Sequence, residues 1–215
     1  AVKTNILGAQ NIINVAIDQG VRKVMALSTD KAANPINLYG ATKLCSDKLF
    51  ISGNSYTKRD GTIFSVVRYG NVLGSRGSVI PFFLKQKEAG VLTITDPRMT
   101  RFWITLEQGV NFVLNCLEKM VGGELFVPKI PSMKISDLAE AVCPECEKEV
   151  IGIRPGEKLH ELMITRDDAR RTIDVGDFYI IQPDFHFWGR RCNWKGANTV
   201  EDDFEYQSGT NPWFL

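Results

Sequence analysis

The sequence predicts an α/β protein: a parallel sheet with helices on both of its faces. Three observations lead there. Short runs rich in Val, Ile and Phe alternate along the chain with stretches of helical period. The first of these runs, Val21–Leu27 (VRKVMAL), reads as a buried strand. Polar or Gly-rich turns follow the first two strands, at the sheet edge where such folds hold ligands.

Taken in order, Ile6, Ala9, Ile13, Ala16 and Ile17 recur at helical spacing, and Gly20 stops that helix. Val21–Leu27 (VRKVMAL) reads as a buried strand ending at Ser28-Thr29-Asp30-Lys31. Asn34-Pro35 makes a loop, and a second helix runs from about Leu38 to Tyr56. Thr62–Arg68 (TIFSVVR) is the next strand, closed by the glycine-rich stretch Gly70–Gly77. A helix at Val79–Glu88, a strand at Leu92–Thr95, a helix at Thr105–Lys119 and a strand at Glu124–Val127 follow. Then come a helix at Ser136–Val142, a strand at Val150–Ile153 and a short helix from Gly156. Beyond Asp167 the pattern weakens, with Phe178–Gln182 (FYIIQ) as one further strand. The remaining tail is too aromatic for disorder and reads as an irregular wrap over residues 171–215.

The chain has 215 residues, 44% of them hydrophobic, enough for a sizeable core. Its 26 basic residues against 25 acidic ones, net charge +1, argue against a nucleic-acid surface or an anionic-membrane binder, while leaving room for a local basic pocket. The longest uncharged stretches fall well short of the ~20 residues of a spanning helix, and no charged-then-apolar signal segment opens the sequence. Five cysteines without dense spacing argue against a secreted disulfide scaffold and for a reducing, cytoplasmic setting. Cys143-Pro144-Glu145-Cys146 has redox or zinc spacing, but no second pair completes a zinc site, and Cys45, Cys116 and Cys192 are scattered; no metal is expected. His160, in half of a zincin-like motif, reads as a helix surface residue.

The chemistry concentrates after the first strand. Tyr39 and Lys43 stand one turn apart on one face of the second helix. A tyrosine ordinarily ionises near pH ~10, too high for a base at neutral pH, and an ammonium one turn away stabilises the phenolate. Thr29, Asp30 and Lys31 fall at the carboxyl edge of the sheet beside it. Either signal alone has a bland reading, since Ser-Thr-Asp runs cap helices and Tyr-x-x-x-Lys arises by chance. Their strand–loop–helix order, followed by a Gly-rich turn at the next strand end, favours a crevice built from a hydroxyl, a carboxylate, an ammonium and a tyrosine.

Ser28-Thr29-Asp30-Lys31, Tyr39-Gly40-Ala41-Thr42-Lys43 and Arg68-Tyr69-Gly70-Asn71-Val72 resemble the extended short-chain dehydrogenase/reductases. Met99–Thr105 (MTRFWIT), Phe126–Lys129 and Ile153–Lys158 (IRPGEK) narrow the resemblance to the inverting UDP-N-acetylglucosamine 4,6-dehydratases of surface-sugar pathways. It implies a Rossmann-like parallel sheet over residues 1–75, belonging to an NADP-binding domain. A smaller, mainly nucleotide-sugar-binding domain would span residues 76–170, with the chain crossing between the two. It also implies NADP as cofactor, a UDP-sugar substrate and a homo-oligomer. The family's opening strand and Gly-rich turn are missing, and no G-x-G-x-x-G occurs anywhere. The sequence therefore resembles the carboxyl-terminal two thirds of such an enzyme.

By the same resemblance, Tyr39 takes the C4 hydroxyl proton and Thr29 bonds the oxygen that becomes a ketone. Lys43 holds the nicotinamide ribose, Asp30 donates a proton to the departing C6 hydroxyl, and Lys31 is the base at C5. Retaining dehydratases carry Asp-Glu where this chain has Asp30-Lys31, so inversion at C5 is expected. Leu27, Ser28 and the Val72-Leu73-Gly74-Ser75-Arg76 turn would border the cofactor. Asn71, Val79, Thr95, Arg154, Pro155, Gly156 and Glu157 would hold the nucleotide sugar. Arg101 could share the phosphate work or serve as a structural ion-pair partner. Two alternatives stand beside this reading: a retaining dehydratase or 4-epimerase of the same superfamily, and a non-catalytic remnant or nucleotide-sugar-binding module.

Overall fold

A computed structural model of the chain describes residues 1–189, 194 and 196–215. In chain order the first elements are α1 (Gly8–Asp18), β1 (Lys23–Thr29), α2 (Leu38–Gly53), β2 (Ile63–Tyr69), β3 (Asn71–Val72) and α3 (Val79–Lys87). They are followed by β4 (Val91–Ile94), β5 (Thr100–Ile104), α4 (Leu106–Lys119), β6 (Leu125–Pro128), β7 (Ser132–Lys134) and α5 (Ile135–Val142). The last are β8 (Glu147–Val150), β9 (Leu162–Ile164), α6 (Arg166–Ala169), β10 (Thr172–Asp174), β11 (Phe178–Ile181), β12 (Asn198–Thr199) and β13 (Tyr206–Gln207). They divide into two units: one of residues 1–69, 110–129 and 162–205, the other of residues 70–109, 130–161 and 206–215.

The first unit is built on a six-stranded sheet in the order β1-β2-β6-β11-β10-β12. β1, β2 and β6 run parallel, with Leu27 opposite Val67 and Ser28 opposite Arg68. Strand alternation sends Phe64 and Val67 to opposite faces. On one face Phe64 meets Phe50 of α2, with ring centroids 6.3 Å apart, and α2 contacts α1. On the other, Val67, Phe126, Phe178 and Ile180 pack with Phe112, Cys116 and Met120 from the α4 segment. Helices thus cover both faces, as the pattern predicts, in a Rossmann-like arrangement. Gly20, at φ +64°, ends α1 in the left-handed conformation that favours glycine.

The segment 171–215 holds more order than an irregular wrap. β11 pairs antiparallel with β6, β10 with β11, and β12 with β10, so it extends the parallel sheet as an antiparallel flank. These strands are two to four residues long, too short to show a period, and only Phe178–Ile181 stood out in the sequence. Cys192 lies outside the described residues.

The second unit holds two small sheets, β3-β5-β7 and a parallel β4-β8 pair. Its core gathers Phe83, Leu92, Ile94, Met99, Trp103, Ile135 and Leu138. Three local readings change here. The strand expected at Val150–Ile153 lies at Glu147–Val150, because its register on β4 sets Val91 opposite Glu147 and Ile94 opposite Val150. No helix starts at Gly156, which sits in a turn at φ +83°. His160 is therefore no helix surface residue: it bridges to Thr100, and its Nδ1 shares a 2.8 Å hydrogen bond with Thr100 Oγ1. Cys143 and Cys146, set aside as a metal motif, form a disulfide just past α5, their Cα atoms 5.3 Å apart as such a bond requires. Among the described residues no group of His, Cys, Asp and Glu is arranged for a metal, and no helix is long and apolar enough to cross a membrane.

Asn54 fixes the exit of α2 in the first unit. It is buried; its Nδ2 donates to the carbonyls of Ile51 and Phe64, and its Oδ1 accepts from the Phe64 amide. The Phe64 carbonyl also accepts from the Gly123 amide at 2.7 Å, so Asn54→Ala takes the partner from the Phe64 amide alone and should cost about 1–3 kcal/mol in urea unfolding. Cys116 is buried, and loss of hydration pushes its thiol up to about 12, whereas Cys45 is exposed. A thiol reagent at pH 8, mapped by mass spectrometry, should label Cys45 in the native protein and Cys116 only after unfolding.

Candidate active site

The site begins where β1 ends. Past Thr29 the chain makes one tight 3-10 turn, Asp30–Ala32, and enters α2 at Leu38. Thr29 Oγ1 caps that turn by accepting from the Lys31 amide at 3.4 Å. Asn37 caps α2, its Oδ1 accepting from the Gly40 amide at 2.8 Å. Gly40 is a glycine for want of room: a Cβ there would collide with the Lys31 carbonyl oxygen and stand 3.0 Å from Pro35 Cβ. This contact brings the first turn of α2, with Tyr39, against the Asp30–Lys31 turn.

Asp30 is wholly buried. Its Oδ1 accepts from Thr29 Oγ1 at 2.9 Å and from Lys31 Nζ at 3.0 Å, while Oδ2 has no hydrogen-bond partner among the described residues. The geometry in hand is an ammonium held by a carboxylate that keeps one oxygen in reserve. Tyr39 is half exposed on α2. Lys43, one turn on, donates from Nζ to the Leu27 carbonyl at 2.7 Å. Leu27 is 49% exposed, an apolar side chain left open at the sheet edge. The structure thus brings together Leu27, Thr29, Asp30, Lys31, Tyr39 and Lys43.

Ser28 departs from the expectation. Alternation along β1 turns its side chain to the opposite face, where it is buried and donates to Asp47 Oδ2 at 2.7 Å. Only its backbone belongs to the open edge. Asp47 escaped the sequence reading, although its spacing four residues after Lys43 puts it on the same helix face.

The second unit carries a cleft of about 370 Å³ lined by Asn71, Val79, Thr95, Arg101, Arg154 and Glu157, among others. Five of the seven residues expected to hold a nucleotide sugar line it. Pro155 and Gly156 form the turn between Arg154 and Glu157 and are not part of the lining. Two buried oxygens at the cleft, Asn71 Oδ1 and Ser78 Oγ, have no hydrogen-bond partner among the described residues. Ser78 is the residue before α3, so its hydroxyl stands at a helix amino terminus where an anion is favoured. Arg101 is buried, donates to the carbonyls of Thr100 and Leu159, and has its Nε 3.6 Å from Glu161 Oε1. It therefore serves as an ion-pair partner while also reaching the cleft wall. The Val72–Arg76 turn is held by the Leu73 amide bonding the Ile104 carbonyl, with Gly74 at φ +70°.

A family model described as "Polysaccharide biosynthesis protein" matches residues 1–183. The chain belongs to the polysaccharide biosynthesis protein family. Within this family it is 53% identical, over 98% of its length, to the UDP-N-acetylglucosamine 4,6-dehydratase (inverting) of Campylobacter jejuni. It is 42% identical, over 90% of its length, to the UDP-glucose 4-epimerase of Rickettsia canadensis. It spans 66% of the first relative and 57% of the second. The crystal structure of Pen from Bacillus thuringiensis superposes with a TM-score of 0.88 at 38% identity, covering 98% of this chain and 65% of that one. The resemblance read from the motifs and the Rossmann-like fold both stand on these matches.

Gly40→Ala tests the contact on which the site is built. The added methyl has to displace the Lys31 carbonyl, so urea unfolding should show a loss of about 1–3 kcal/mol. A stability equal to that of the parent chain would mean that α2 and the turn are not in register as described.

Proposed function

We propose that this chain carries the proton-transfer residues and the nucleotide-sugar cleft of an NADP-dependent lyase that dehydrates UDP-N-acetylglucosamine across C5 and C6 with inversion at C5. The observation that carries the reading is the Asp30–Lys31 pair: a buried carboxylate with one unpartnered oxygen, touching an ammonium, beside Tyr39. The 53% identity to an inverting 4,6-dehydratase supports it.

The residues present fit one end of the cofactor. Lys43 Nζ and the open Leu27 side chain at the sheet edge suit a ribose hydroxyl and the face of a nicotinamide. No pyrophosphate-binding glycine motif occurs in these residues, so that end of the cofactor is not assigned here. When bound, the nicotinamide accepts a hydride from C4 and returns one to C6.

The chain's own residues handle the protons. Tyr39 Oη, as phenolate, takes the C4 hydroxyl proton, and Thr29 Oγ1 turns from Asp30 to donate to the oxygen that becomes a ketone. The ketone acidifies C5–H, because the carbanion left behind is its enolate. Lys31 Nζ then removes the C5 proton, and Asp30 protonates the departing C6 hydroxyl, which leaves as water. Both roles require one proton to lie on the carboxylate and none to spare on the amine. A single proton shift across the 3.0 Å contact turns the ion pair into that neutral pair, and excluding water favours uncharged partners. Reprotonation of C5 from the opposite face, by Tyr39, gives the inverted centre.

In the second unit, Arg154 and the amino terminus of α3 suit a pyrophosphate, with Arg101 holding the cleft wall and Asn71, Val79, Thr95 and Glu157 around the rest of the nucleotide sugar. The chain works in the cytoplasm, as part of a homo-oligomer, in this reading.

The test is the product. The complete enzyme, run in deuterated water, should yield a 4-keto-6-deoxy sugar with inverted C5 carrying deuterium there, read by NMR. Lys31→Met should lower product formation by about 100-fold or more. Retained configuration would remove Lys31 as the base, and a 4-epimer without loss of water would favour the epimerase reading that the Rickettsia relative raises.

A further inference from the structure

Tyr39, Lys43 and Asp47 follow one another at four-residue spacing along α2 and therefore share one helix face. The proposed chemistry uses the first two. Asp47 is buried, and burial works against its carboxylate, pushing its pKa up, while Arg68, the Ser28 hydroxyl and Lys43 pull it back down. Burying an acid where an apolar residue would pack is seldom a gain in stability, so its contacts carry the meaning.

Those contacts converge on one atom. Asp47 Oδ2 accepts from Ser28 Oγ at 2.7 Å and from Arg68 Nη2 at 3.3 Å. Ser28 and Arg68 are directly opposite each other in the β1–β2 ladder. Arg68 is fixed in turn by its Nη1, which donates to the Met163 carbonyl at 2.8 Å and lies 4.0 Å from Asp168 Oδ2. One turn back along α2, Lys43 Nζ grips the carbonyl of Leu27, the residue before Ser28. Helix α2 is thus joined to the last residues of β1 by two consecutive rungs, and the lower one rests on β2.

We propose that Asp47 is a positioning residue for the proton-transfer pair: by holding the tip of β1 through Ser28, it sets where Leu27 places Lys43 and hence the distance from Lys43 to Tyr39. Arg68 is its counter-charge and anchors it to the sheet. This rests on Tyr39 acting as the base. The charged groups around the junction are Lys43 and Lys48 on α2, Arg68 on β2, Arg166, Asp167 and Asp168 on α6 with Arg171 just after it, and Asp30 and Lys31 beyond the end of β1.

The experiment is the pH profile of kcat for the complete enzyme with Ser28→Ala, Asp47→Asn and Tyr39→Phe. Ser28→Ala removes the 2.7 Å bond and keeps every charge, so a loosened Lys43 should move the acidic limb upward by roughly half a pH unit and lower kcat several-fold, with KM for the nucleotide sugar little changed. Asp47→Asn should move it upward further. Loss of the carboxylate's field alone would move the limb downward, and a purely structural role would lower the melting temperature without moving it. An unmoved limb in Ser28→Ala, or a downward one in Asp47→Asn, overturns the proposal; should Asp47→Asn fail to fold, Ser28→Ala decides. Tyr39→Phe separates the two levels. Turnover that survives it removes the reading of Tyr39 and the positioning role together. Turnover lost in it with an unmoved limb in Ser28→Ala removes the positioning role alone.

Discussion

The close approach of α2 to the turn after β1 is the constraint from which the rest of the first unit follows. Eight residues, 30–37, must reverse the chain from strand to helix and still leave the first turn of α2, with Tyr39, against Asp30 and Lys31. A gap of that length closes only because Gly40 presents no Cβ to the Lys31 carbonyl and Asn37 satisfies the Gly40 amide. Once α2 is seated, two of its polar side chains reach back to the end of β1. Lys43 reaches the carbonyl of Leu27, and Asp47 meets Ser28 and Arg68 under the sheet edge. The apolar remainder of the helix, through Phe50 and Gly53, settles on Phe64. One missing methyl group therefore governs both the approach of Tyr39 to the Asp30–Lys31 turn and the packing beneath it.

How much of this was legible in the sequence depends on how each feature is encoded. β1 and β2 are seven residues each, with apolar stretches at Val24–Leu27 and at Val66–Val67 that make them stand out. The antiparallel flank does not stand out. β10 and β12 are three and two residues long; β10 closes a hairpin with β11, and β12 joins β10 from far along the chain. A short strand of this kind is stabilised by the sheet it joins rather than by its own period. Displacement of the strand after α5 by about three residues has the same origin, since pairing with β4, not apolar content, decides where β8 begins.

The candidate site divides along similar lines. Tyr39, Lys43, Thr29, Asp30 and Lys31 are near one another in sequence, and helical spacing with the strand–turn–helix order is enough to bring them together. Ser28 was misplaced because a strand's alternation sends neighbours to opposite faces, so proximity to Thr29 in sequence means separation in space. Asp47 was readable from the four-residue spacing, yet a lone acid on a helix is ordinarily a solvated one. Only the opposition of Ser28 and Arg68 across the ladder, which the sequence does not display, turns it inward.

Where the structure leaves buried polar atoms without partners also bears on the two readings of Arg101. An unsatisfied buried oxygen costs about 1–3 kcal/mol, so proteins keep few of them. Asn71 Oδ1 and Ser78 Oγ belong to the lining of one cleft, whereas Arg101, also in that lining, has its guanidinium committed to two carbonyls and to Glu161. A residue already bonded on several sides fixes the shape of a wall, and a residue with an open valence receives the ligand. By that distinction Arg101 is the frame of the cleft, while Arg154 is largely exposed, with Glu157 4.0 Å away, which is the state that the proposed phosphate contact needs. The same logic applies to Asp30: a buried oxygen left unpaired next to Lys31 is costly as architecture, and the proposed protonation of a substrate hydroxyl would give it a partner.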